Sequence, residues 1–197
     1  MNRSILIFLL IFNISAFGQN HKELEKSIIP DSTINNQIII MNDLSVLKTF
    51  GYIWNLVLRD PHRIYFVNKS GTEYLKMTFH SGNSENQFSE FEIGDISLIP
   101  ENEPINKSNF EGFYTESGIR LGITKNELIK IKGKNFIAIK NEHNLEGIRY
   151  NLESDYDGYD YIFKYEFLER YGYPSYYAFY WFKNNKLVKF EFGFEYV

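Results

Sequence analysis

Apolar and polar positions alternate with period two through much of this chain, and shift to helical spacing only in brief runs. The clearest alternation sets Leu75, Met77 and Phe79 against Tyr74, Lys76 and Thr78, the pattern of a strand with one buried face. Strands are predicted over Ile64–Asn68 and Thr72–His80, flanking a hairpin turn at Asn68-Lys69-Ser70-Gly71, with a third over Phe88–Ile93. Before them, Ile38–Met41 reads as a short strand. Asn42 and Asp43 are good cap residues, followed by Leu44, Leu47 and Phe50 at helical spacing up to Gly51.

The second half turns on Gly118–Gly133, which reads G-I-R-L-G-I-T-K-N-E-L-I-K-I-K-G. Thr124 and Glu127 have the spacing of a capping box, and Ile123 with Leu128 that of a hydrophobic staple. Leu128 and Ile131 lie three apart and are expected to point at a core, with Ile129 beside them and Gly133 ending the helix. About two turns of helix do not hold alone, so this one must rest on a sheet. Strands over Phe136–Lys140, Gly147–Leu152, Tyr176–Phe182 and Lys186–Tyr196 supply it. The intervening Tyr156–Tyr173 is ambiguous, with a short helix around Glu166–Arg170. The expected fold class is α+β, short helices packed on one face of antiparallel sheets. Asn42-Asp43-Leu44 up to Gly51 echoes Asn126-Glu127-Leu128 up to Gly133, and this weak likeness leaves both tandem duplication and chance open.

The last two strands form a hairpin turning at Asn184-Asn185. Running a two-residue loop outward sets Tyr177, Phe179 and Trp181 with Val188, Phe190 and Phe192 on a nearly all-apolar side that should take the helix. The other side then gathers Tyr176, Tyr180 and Phe182 with Leu187, Lys189 and Glu191. Half aromatic and half charged, it suits a recognition surface, and Tyr176, Tyr180, Phe182, Lys189 and Glu191 are the candidate binding residues. The same pattern also fits a face covered by the rest of the chain.

Organisation and composition narrow the function classes. Met1–Gly18 has a basic start at Arg3, an apolar run over Ile5–Phe12 and small residues at Ala16 and Gly18, the form of a cleaved export signal. The expected order is a signal at 1–18, a polar and partly disordered tether at 19–41, an α+β unit at 42–100, a connector at 101–112 and a second unit at 113–197. No later apolar stretch approaches the length of a membrane span, so the chain is expected to be periplasmic or secreted after cleavage. There is no cysteine, which excludes disulfides, thiolate metal sites and cysteine nucleophiles. Without Arg3 the balance is 20 basic to 25 acidic residues with no basic run, which argues against nucleic acid.

Chemistry-bearing patterns are sparse. Glu153, Asp155, Asp157 and Gly158 match the start of a calcium loop, but Lys164 stands where a bidentate glutamate is required. His21, His62, His80 and His143 show no paired ligand spacing. Glu90 with Glu92, and Glu191 with Glu195, share strand faces, so a glycosidase carboxylate pair is conceivable beside the ordinary reading of a wetted strand. No nucleophile elbow or phosphate-binding glycine loop is present, and no cofactor is implied. The expectation is a non-enzymatic binding module for a protein, with a glycan-binding or glycan-cleaving protein and a structural envelope component as alternatives.

With these pieces placed, residues 118–133 and the strands after them resemble the repeat unit of the β-lactamase inhibitory protein-like families, which include small outer-membrane assembly lipoproteins. The closing F-K-N-N-K-L-V-K-F-E-F-G-F-E-Y at 182–196 is similar to exported proteins of Bacteroidetes-type bacteria. The resemblance covers roughly Gly118–Val197 and implies tandem units presenting a concave sheet to a protein partner. None of the inhibitor's contact residues finds a matching position, and the lipid-attachment cysteine of the assembly lipoproteins has no counterpart.

Overall fold

The computed structural model describes residues 28–59, 62–80, 82–140 and 145–195. The export-signal reading of 1–18, His21 and His143 lie outside them. In chain order the elements are β1 (Thr33–Ile34), β2 (Ile38–Ile39), α1 (Asp43–Phe50), β3 (Leu58–Arg59), β4 (His62–Val67), β5 (Glu73–Thr78), β6 (Glu90–Asp95) and β7 (Ile105–Lys107). There follow α2 (Lys125–Lys132), β8 (Ile137–Lys140), β9 (Glu146–Glu153), β10 (Asp155–Tyr156), β11 (Tyr161–Ile162), α3 (Glu166–Tyr171), β12 (Ser175–Lys183) and β13 (Lys186–Phe194).

One large sheet runs β3-β4-β5-β6-β13-β12-β9-β8, antiparallel at each step, and β7 adds to β4 in parallel. The protein is therefore α+β, with short helices on an antiparallel sheet. Both halves are meanders preceded by an eight-residue helix, and each ends on a central strand, β6 or β13. Both helices carry a side-chain cap, Asn42 onto the Ser45 amide and a full capping box between Thr124 and Glu127. Both end at a glycine with positive φ, 74° at Gly51 and 93° at Gly133, a backbone region closed to most other residues.

The halves meet at repeated tetrapeptides. Phe91-Glu92-Ile93-Gly94 lies on β6 and Phe190-Glu191-Phe192-Gly193 on β13. Their register pairs Phe91 with Phe192, Glu92 with Glu191 and Ile93 with Phe190. Exchanging the two motifs maps that set of pairs onto itself, so a local two-fold relation passes through the glutamate pair. The two units thus share one continuous sheet.

Alternation assigns the faces. Ile64, Phe66, Leu75, Met77, Phe91, Ile93, Ile148 and Tyr150 join Tyr176, Ala178, Tyr180, Phe182, Phe190 and Phe192 in a single core. Val46 of α1, Leu128 of α2 and Leu168 of α3 pack into the same core, so the helices share one side of the sheet.

Four expectations are corrected. Residues 28–37, read as part of a polar tether, are built into the core: Ile28, Asp31 and Ile34 are buried, and Asp31 binds Lys132 of α2 at 2.7 Å. In α1 the inward positions are Ser45 and Val46, while Leu44 is exposed. In α2 the inward pair is Leu128 and Lys132 rather than Leu128 and Ile131, because the lysine ammonium finds a buried carboxylate.

The fourth correction concerns the hairpin. Its turn is as expected, with Asn184 and Asn185 at φ 49° and 60° and Lys183 opposite Lys186. A β-bulge then intervenes, since Phe182 pairs with Leu187 but Trp181 pairs with Lys189. One extra residue, Val188, moves every later pair across the sheet. Tyr176, Tyr180 and Phe182 therefore share the core face with Phe190, Phe192 and Phe194 and are buried. They form no docking surface. Asp31 also satisfies their polar tips: its backbone N–H donates to the Tyr176 hydroxyl at 3.0 Å, and the Tyr180 hydroxyl donates to its carboxylate at 3.3 Å.

Candidate functional site

The bulge sends a different aromatic row to the sheet face opposite the helices. Tyr177, Phe179 and Trp181 stand in line along β12, with Phe179 and Trp181 parallel to within 2° and their centroids 6.3 Å apart. Phe179 and Trp181 stay partly exposed, while Tyr177 is largely covered and donates its hydroxyl to Glu90 at 2.6 Å. Glycines make room for rings on this face. The Trp181 ring lies over Gly147 and the Tyr74 ring over Gly94, where an added Cβ would come within 2.6 Å of it.

Arg149 of β9 borders the row. Its guanidinium sits 5.0 Å from the Phe179 centroid and is held by Asn151 at 2.6 Å and Glu195 at 2.7 Å. That is a cation–π contact with two anchors. Beyond it lies β8, a terminal strand of the sheet, where Ile137 is exposed.

Next to the aromatic row is an ionic network. Glu191 stands directly across from Phe179 on one side and Glu92 on the other. Glu92 accepts from Tyr74 at 2.5 Å, Lys76 at 2.9 Å and Lys189 at 3.0 Å. Lys76 also reaches Glu90 at 3.4 Å, whereas among the described residues the ion-pair approach to Glu191 is that of Lys189 at 3.9 Å. Burial alone would raise the Glu92 carboxyl, but Lys76 and Lys189 hold it down to about 2. Burial, then the neighbouring Glu92, pushes Glu191 up to about 8. The pair holds one proton into the neutral range. Tyr74 and Tyr177 are likewise pushed above the usual phenol range, by burial first and by their glutamate partners second.

The arrangement stores a proton and presents a rigid aromatic and ionic surface. No protein-family model, curated protein or solved structure matches this chain.

Of the five candidate residues, Lys189 and Glu191 do lie together on the open face, and Tyr176, Tyr180 and Phe182 lie on the opposite one. Sequence reasoning missed Tyr177, Phe179, Trp181 and Arg149 as its members. The signal that would have found them is the repeated F-E-x-G, which sets the β6–β13 register independently of the hairpin turn.

The carboxylates of the partial calcium-loop match are engaged within the chain. Asp155 pairs with Lys164 at 2.6 Å, Asp157 accepts the Tyr159 and Asp160 amides of its own turn, and Glu153 accepts from Asn151. Among the described residues no three acidic or histidine side chains are grouped to hold a metal ion. The segment forms the β10–β11 hairpin, whose Tyr156, Tyr159 and Ile162 are exposed. His62 packs edge-on to Phe79, and His80 Nδ1 shares a 2.6 Å hydrogen bond with Ser89.

Proposed function

We propose that this protein is an exported, non-enzymatic binding module that recognises a protein partner through the open face of its central sheet. One observation carries the reading: a preordered row of partly exposed aromatics, Phe179 and Trp181, anchored by Arg149 and bordered by the Glu191 network. Large rigid rings give contact area at little entropic cost, and aromatic and arginine side chains dominate interface energetics. The network fixes its side chains in advance, so little ordering cost remains for association. Helices fill the other side of the sheet.

The test compares capture of envelope and extracellular proteins by the wild-type chain and a Phe179→Ala/Trp181→Ala variant. The reading expects a discrete partner that the variant loses while keeping its thermal transition. A partner captured equally by both removes this face from consideration. Retention by a polysaccharide in place of any protein would replace the reading with glycan binding.

A further inference from the structure

We propose that Glu191 is the receiving carboxylate for an arginine side chain presented by the protein partner. The inference rests on the binding-module reading above and names the chemistry that its central contact requires.

The network on the open face is one cation short. Glu90, Glu92 and Glu191 supply three carboxylates, and Lys76 and Lys189 supply two ammonium groups. Both lysines are drawn toward Glu92, at 2.9 and 3.0 Å, and Glu90 is further served by the Tyr177 hydroxyl. Among the described residues Glu191 is left with the 3.9 Å approach of Lys189, and burial with the neighbouring Glu92 keeps a proton on its carboxyl toward neutral pH. A third cation at Glu191 would replace that proton and bring the cluster to three against three.

The surroundings favour guanidinium over the alternatives. Phe179, across the strand pair from Glu191, holds the Arg149 guanidinium at 5.0 Å from its ring, so this face already accommodates a planar cation against an aromatic beside Glu191. A guanidinium fork also matches a carboxylate bidentately, which an ammonium does not. A metal ion is disfavoured, since two lysine ammonium groups already stand among these carboxylates and would repel it.

Binding is therefore exchange: the arginine enters, and the proton on Glu191 leaves to solvent. With that carboxyl pushed up to about 8, roughly a tenth is ionised at pH 7 and nine-tenths at pH 9, so affinity should rise about tenfold between them.

The probes are three blocked pentapeptides that differ at one central position flanked by leucines: arginine, lysine or the neutral isostere citrulline. Each is titrated into the full chain at pH 7 and pH 9 and followed by NMR shifts. The expected result is binding of the arginine peptide about tenfold tighter at pH 9, weaker binding of the lysine peptide and none of citrulline. Glu191→Gln should abolish binding at both pH values, while Glu166→Gln, on the distant α3 surface, should leave it unchanged. Equal binding of citrulline, wild-type binding by Glu191→Gln, or no binding of any peptide overturns the inference. If the peptides fail while Phe179→Ala/Trp181→Ala still loses its captured partner, the inference falls and the binding-module reading stands.

Discussion

Replacing Lys132 by methionine should be among the most damaging single changes in this protein. Lys132 ends α2 with its side chain 2% exposed, and its ammonium meets the wholly buried Asp31 carboxylate at 2.7 Å. It also donates to the Ile29 carbonyl at 2.5 Å. Asp31 is further held by the Ser117 hydroxyl at 2.5 Å and the Tyr180 hydroxyl at 3.3 Å. Methionine fills similar volume, so the cost is electrostatic: a carboxylate left in the interior with two hydroxyl donors and no counter-charge. Breaking one side of a buried pair typically costs about 3–5 kcal/mol. At a urea slope of roughly 2 kcal/mol/M this lowers the denaturation midpoint by about 1.5–2.5 M. The double variant Asp31→Asn/Lys132→Met removes the stranded charge and should recover at least about 2 kcal/mol of that loss. Urea unfolding followed by tyrosine and tryptophan fluorescence measures all four corners of the cycle. A single-variant cost under about 1 kcal/mol, or strict additivity in the cycle, would refute the claim that this pair pins residues 28–34 to the core.

Other consequences follow from the same geometry. Glu191 rises from its ordinary 4.5 to about 8, so the folded state binds more protons than the unfolded one across that window and stability falls as pH rises through it. Glu191→Gln should flatten that fall by about 2–4 kcal/mol between pH 5 and 9, read as thermal midpoints. Glu92 is shifted the other way, to about 2, so the stability it adds is full above 4.5 and fades toward pH 2, visible as an acid transition that Glu92→Gln removes. Gly94→Ala drives a Cβ to within 2.6 Å of the Tyr74 ring and should cost about 1–3 kcal/mol by chemical denaturation. Thr124→Ala deletes the capping box of α2 and should cost about 1 kcal/mol in the same assay.

Local rules carried the sequence reading where local chemistry decides the structure. The caps at Asn42 and Thr124, the glycine stops at Gly51 and Gly133, and the Asn184-Asn185 turn all stand where their residue types demand. Period-two alternation located seven of the nine strands of the main sheet to within a residue or two, and missed β3 and β7, which at two and three residues are too short to show a period. It failed at Val188, because a bulge is a backbone event with no side-chain signature, and one unpaired residue exchanged the two faces of the hairpin. The burial of Lys132 and Asp31 was illegible for a different reason: charged residues almost never enter a core without a partner, and here the partner is 101 positions away in sequence. The polar look of residues 28–37 hid the same fact.

The most direct test of the open-face account places a photo-crosslinking amino acid at Phe179, and separately at exposed Leu44 on α1, in the otherwise unaltered full-length chain. The account predicts a discrete crosslinked protein from position 179 and none from position 44. The same species crosslinked from position 44, with none from 179, would place recognition on the helical side and contradict it.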